Sequence, residues 1–178
     1  MSILKIITIP NKKLRQKSQP IEKVTPEIKK LIQDMIETLN SKPGLGLAAP
    51  QIGKNFQIIT IESRGLPTPS PEIEGEKNEV IPLVVLINPK IIKFSQKKVE
   101  IDEGCFSVPN VFGPVTRPEK VKVAALDKKG KTIQLNASGL LARVLQHEID
   151  HLNGTLFIDL VEDKSRLKEL KPGEEIQG

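Results

Sequence analysis

Histidine occurs twice in the 178 residues, at positions 147 and 151 of the stretch "QHEIDHLNG". Residues four apart on a helix share a face, with Cβ atoms about 5 to 6 Å from each other. His147 and His151 can therefore aim two imidazoles at one cation while Glu148 projects beside them. Leu140 and Val144 continue that face and would wall the site off from bulk water. A bare HExxH pentapeptide also arises by chance, with each histidine satisfied by an ordinary neighbour. Concentrating every histidine of the chain in one helical turn favours the metal.

Two imidazoles do not complete such a centre, because a catalytic zinc-like site takes three protein ligands and leaves a position for water. No histidine follows His151, so a third ligand comes either from a downstream carboxylate (Glu162, Glu169, Glu174 or Glu175) or from Cys105 in "DEGCFSVP". A thiolate with two imidazoles forms an N2S set suited to zinc or ferrous iron, and a metal keeps the thiol deprotonated. As the lone cysteine, Cys105 cannot form an internal disulfide, and a buried apolar filler is its ordinary alternative.

These residues need elements to position them. "SGLLARVLQHEIDHLNG" reads as a mostly buried helix stopped near Gly154, with Arg143, Gln146, Asp150 and Asn153 as its polar stripe. "TPEIKKLIQDMIETLNSKPG" supplies a capping Thr25, Pro26 at the first helical position, and Ile28, Leu31, Ile32, Met35, Ile36 and Leu39 at helical spacing. This amphipathic helix ends near Asn40. "FQIITIE" and "VIPLVVLINP" are strand candidates, and "VKVAALDKKGKTIQLNA" is a hairpin turning at Asp127 to Gly130. The N-terminal stretch is more like a first strand than a signal peptide. Residues 63–79 read as a surface loop, "EDKSRLKEL" as a short C-terminal helix, and 171–178 as a mobile tail.

A hydrophobic content of 38% without a membrane-length apolar run fits one compact domain over 1–178. With five Phe and neither Trp nor Tyr, the core must be aliphatic. The net charge of +5 is scattered among 22 acidic residues and lacks an aromatic stacking platform, so a solvated surface is favoured over nucleic-acid binding. Neither a membrane nor specific DNA is expected as a partner.

Three motifs stand in order, "GLGLAAPQ" at 44–51, "EGCFS" at 103–107 and "QHEIDH" at 146–151. Together they resemble the signature motifs of the peptide deformylases, and "INP" at 87–89 agrees. The resemblance implies an α+β fold, with antiparallel sheets packed around a central HExxH-bearing helix. It implies a hydrolase that removes the formyl group from the N-terminal formylmethionine of nascent polypeptides, releasing formate. It assigns Cys105, His147 and His151 as metal ligands and Glu148 as general acid and base. Gln51 and the backbone N–H of Phe106 become oxyanion donors, and Gly46 a main-chain contact for the substrate. Leu45, Ile101, Glu103, Leu140 and Val144 are expected around the methionine side chain. The implied metal is Fe(II), with nickel, cobalt or zinc as replacements. The implied setting is the bacterial cytoplasm, or an organelle matrix after removal of an import peptide, with ribosome contact open.

Phe106 stands where leucine is usual, and Phe112 where some members carry an arginine. Arg117 matches a second family arginine and is expected to pair with Asp150. Two rival readings remain at this point. A small zinc peptidase would cleave internal bonds and tolerate loss of Cys105, and a non-catalytic RNA-binding shell would ignore changes at His147 and Glu148.

Overall fold

The computed structural model describes residues 2–63 and 80–170. Most of the 63–79 stretch and all of 171–178 lie outside them. Helix α1 (Pro26–Asn40) begins where Thr25 Oγ1 accepts from the Ile28 N–H at 3.4 Å, and it buries Ile32, Met35 and Leu39. Strands β1 (Gly46–Ala48), β2 (Ile58–Ile61) and β3 (Val84–Phe94) form an antiparallel meander. The chain then leaves this sheet to build a hairpin of β4 (Lys98–Cys105) and β5 (Val108–Pro118). It returns as β6 (Lys120–Leu126) beside β3, followed by β7 (Thr132–Ser138). Two sheets result, β1-β2-β3-β6-β7 and a smaller one in which β5 pairs both β4 and β8 (Lys168–Glu169).

Helix α2 (Gly139–Leu152) packs against β1, β2 and β7 of the larger sheet and against β5 of the smaller. Its core partners are Ala48, Ile59, Ile61, Leu86, Val121 and Val123, an aliphatic cluster in keeping with the shortage of aromatics. The helix stops at Gly154, whose φ of +74° suits glycine, and an added Cβ there would lie 2.5 Å from the Arg15 carbonyl.

Two expectations differ from the structure, those for the N-terminal stretch and for "EDKSRLKEL". The polar stripe of α2 is partly buried, with Arg143 and Gln146 7% and 4% exposed. Gln146 Nε2 donates to the Pro118 and Ala142 carbonyls, and Arg143 reaches β4 and β5. The N-terminal stretch is an extended strap and not a ladder strand. It is tied by the Ile7 N–H to the Gln51 carbonyl at 2.8 Å and by the Ile9 N–H to the Ser107 carbonyl at 2.9 Å. "EDKSRLKEL" is no helix either. It forms a 3-10 turn at Lys164–Arg166, started by the Asp163 carboxylate, and then β8. It lacks an apolar helical stripe, whereas the edge of β5 offers ladder bonds and a seat for Leu167 over Gly113.

Candidate metal centre

The ligand atoms of Cys105, His147 and His151 lie within 4.8 Å of one another. Cys105 Sγ is 3.2 Å from His151 Nε2, and the two imidazole centroids are 5.0 Å apart, edge to face. Cys105 arrives from the other sheet, at the tip of the β4–β5 hairpin. A register shift between Gly104 and Cys105 there leaves a tight turn closed by the Cys105–Val108 pair. The sulfur accepts from Gln51 Nε2 and from the Ser107 N–H, both at 3.4 Å. Of the downstream carboxylates that sequence spacing left open, Glu162 and Glu169 are exposed and stand outside this cluster, and Glu174 and Glu175 lie outside the described residues.

His147 is oriented from behind. Its Nδ1–H donates to Glu103 Oε2 at 2.9 Å, which leaves Nε2 to face the other ligand atoms. Its ring also stacks on Phe157 at 6.3 Å. Glu103 is 6% exposed and held twice by Arg117, from Nε at 2.6 Å and Nη2 at 2.9 Å, and once by Arg143 Nη1 at 2.7 Å. Burial opposes its charge, but the hydrogen bonds from His147 and Arg117 prevail and hold its carboxyl well below the usual range. Arg117 Nη1 also donates to Asp150 Oδ2 at 2.7 Å, the expected pair, and Arg117 is only 5% exposed.

The donor chemistry fits a divalent cation. Burial, reinforced by His147, pushes His151 well below its ordinary value, so this ring is neutral and able to bind. Burial also lowers His147, but the Cys105 sulfur and the Glu103 carboxylate outweigh it and raise the ring well above its ordinary value. Negative character therefore converges on the point where the ligand atoms meet, and a cation there would take the place of that proton.

Glu148 is 3% exposed, and burial pushes its carboxyl up to about 7. Its Oε2 has no hydrogen-bond partner among the described residues. A carboxyl poised near neutrality beside a cation site can take and return a proton. Gly46 lies directly against it, and a Cβ at Gly46 would overlap the Glu148 carboxylate.

Gln51 is 1% exposed. Its Oε1 accepts from the Ala48 N–H at 2.8 Å, fixing the amide so that Nε2 faces the sulfur with a second hydrogen to give. Phe106 follows Cys105, and its ring covers Gly44. Leu45, Leu140 and Val144 belong to one apolar cluster beside α2. Half-buried Ile101 faces inward from β4, two residues before Glu103. The oxygens of Glu103 are occupied by two arginines and His147. Spacing had not singled out Arg143, although it precedes His147 by four positions, as His147 precedes His151.

Residues 3–167 match the family described as polypeptide deformylase. A peptide deformylase of Bradyrhizobium diazoefficiens is 42% identical over 176 residues, covering 96% of this chain and 94% of that one. The crystal structure of peptide deformylase from Ehrlichia chaffeensis superposes with a TM-score of 0.81 at 43% identity, over 93% of this chain and 91% of that one. The enzyme from Synechococcus elongatus, solved in complex with actinonin, gives 0.79 at 39% identity, over 92% and 81%. Built on this hairpin and helix, and alike across nearly its whole length, the chain belongs to the polypeptide deformylase family.

Proposed function

We propose that this chain removes the formyl group from the N-terminal formylmethionine of newly made polypeptides, using Cys105, His147 and His151 to hold one divalent cation and Glu148 to move the proton. The observation that carries this reading is the meeting of those three ligand atoms within 4.8 Å beside the buried Glu148 carboxyl. The N2S donor set and the family likeness point to Fe(II), with nickel, cobalt and zinc as replacements. A divalent cation so held would supply Lewis acidity and lower the pKa of water toward about 7.

Glu148 takes the proton of the attacking water and passes it to the departing amine as the C–N bond breaks and formate leaves. Gln51 Nε2 and the Phe106 backbone N–H donate to the oxyanion that develops on the formyl oxygen, where one donor is typically worth about 3 to 4 kcal/mol of barrier. Gly46 presents main chain to the substrate as an added strand would meet it, since a side chain there would collide with Glu148. Leu45, Ile101, Leu140 and Val144 line the methionine side chain. Glu103 serves the site from behind, by fixing the tautomer and tilt of His147.

The reading carries with it action where formylated chains are made, in a bacterial cytoplasm or an organelle matrix, with the ribosome as a transient neighbour. Among the described residues no helix is long and apolar enough to cross a membrane. The test is formate release from formyl-Met-Ala-Ser by Fe(II)-loaded protein under anaerobic conditions. Turnover should be lost in Glu148→Ala with the metal retained. A wild-type protein that is fully loaded yet inactive overturns the reading.

A further inference from the structure

Arg143 is buried on the ligand-bearing helix, and its guanidinium bonds to three different residues of the facing hairpin. Nη1 donates to Glu103 Oε1 at 2.7 Å and to the Val115 carbonyl at 2.9 Å, and Nη2 donates to the Val99 carbonyl at 2.6 Å. Charge balance alone does not require it, because Arg117 already clamps Glu103 with two bonds. What Arg143 adds is attachment of α2 to the backbone of both β4 and β5.

On a strand, alternate residues share a face. Val99, Ile101 and Glu103 lead along the inner face of β4 to Cys105. Two of the three acceptors of Arg143 lie on that strand, so the arginine resists its sliding along α2. Any slide would carry the Cys105 sulfur away from the two imidazoles. The same guanidinium also fixes the carboxylate that orients His147.

We propose that Arg143 is a positioning residue for the metal centre, holding the cysteine-bearing hairpin in register with the histidine-bearing helix and, through Glu103, the His147 ring in its tilt. This inference rests on the reading that Cys105, His147 and His151 hold one cation. It concerns affinity and geometry at that cation and not the chemistry of deformylation.

The test uses full-length protein stripped of metal and reloaded with Co(II), with affinity measured against a competing chelator and the visible and sulfur-to-cobalt absorption bands recorded. Arg143→Met keeps much of the side-chain volume but donates nothing. It should bind Co(II) about 10- to 100-fold more weakly, the usual cost of losing an outer partner of a ligand, and show altered bands. Arg143→Lys carries a single ammonium that cannot span three separated acceptors. It should fall between the two. If Arg143→Met does not fold, Arg143→Lys alone decides, with a loss of at least threefold expected. A folded variant that matches the parent in Co(II) affinity and spectrum overturns the inference, even where its melting temperature falls, because that would be a structural role alone. A parent protein that binds no Co(II) would instead sink the proposed function.

Discussion

Replacing Glu103 with glutamine keeps shape and removes charge at the point where α2 and the β4–β5 hairpin are joined. The native carboxylate accepts from Arg117 Nε and Nη2, from Arg143 Nη1 and from His147 Nδ1. A glutamine offers one oxygen, and its NH2 must face donors on the other side. Of the two buried guanidiniums, Arg117 would then keep Asp150, and Arg143 would keep only the Val115 and Val99 carbonyls. Removing one partner of a buried ion pair costs about 3 to 5 kcal/mol. Against a total stability of about 5 to 15 kcal/mol this is severe. Urea unfolding of the metal-free protein should show the midpoint falling by that free energy at constant m-value. The pH dependence has a definite sign. The folded carboxyl titrates below its ordinary value of 4.5, so the unfolded state takes up the proton first on acidification. The stabilisation is complete above about 4.5 and is lost as pH falls toward the folded value, so the gap between parent and variant must narrow below that point. A loss under about 1 kcal/mol at pH 7, or a gap that widens in acid, would refute the argument.

Two further predictions follow from close packing at the centre. Gly46→Ala should push the Glu148 carboxylate aside and lower kcat by about 100-fold, the lower end of general acid–base contributions, while metal content stays equal to the parent. An unchanged kcat would show that Glu148 yields without consequence. Phe157→Ala removes a side chain that is 1% exposed and stacked on His147, and should cost about 3 to 5 kcal/mol in chemical denaturation together with weakened metal retention. Retention equal to the parent would mean that the ring fills space without steadying the imidazole.

The sequence displayed the site more fully than its support. His147 and His151 were legible because helical geometry fixes their common face, Glu148 because it adjoins the first of them in an HExxH pattern, and the hairpin around Asp127 to Gly130 because turn residues divide two alternating runs. That Cys105 is the third donor rested on family likeness, since spacing left several downstream glutamates equally available. Arg143 and Gln146 were legible only as members of the polar stripe of a mostly buried helix. The arrival of β4 and β5 over α2 supplies the Val99, Val115 and Pro118 carbonyls that bond them, and no local pattern encodes that arrival. The stretch "EDKSRLKEL" has helical propensity but no apolar stripe to bury, so the open edge of β5 decides its form. Glu103 shares a strand face with Cys105, a period-two relation that could have suggested its place behind the metal ligand.

X-ray absorption at the zinc edge of protein loaded with one equivalent of Zn(II) tests the meeting of hairpin and helix most directly. The account predicts one sulfur scatterer at about 2.3 Å and two imidazole nitrogens at about 2.0 to 2.1 Å, with the sulfur signal lost in Cys105→Ala. A first shell of nitrogen and oxygen alone in the unaltered protein would contradict it.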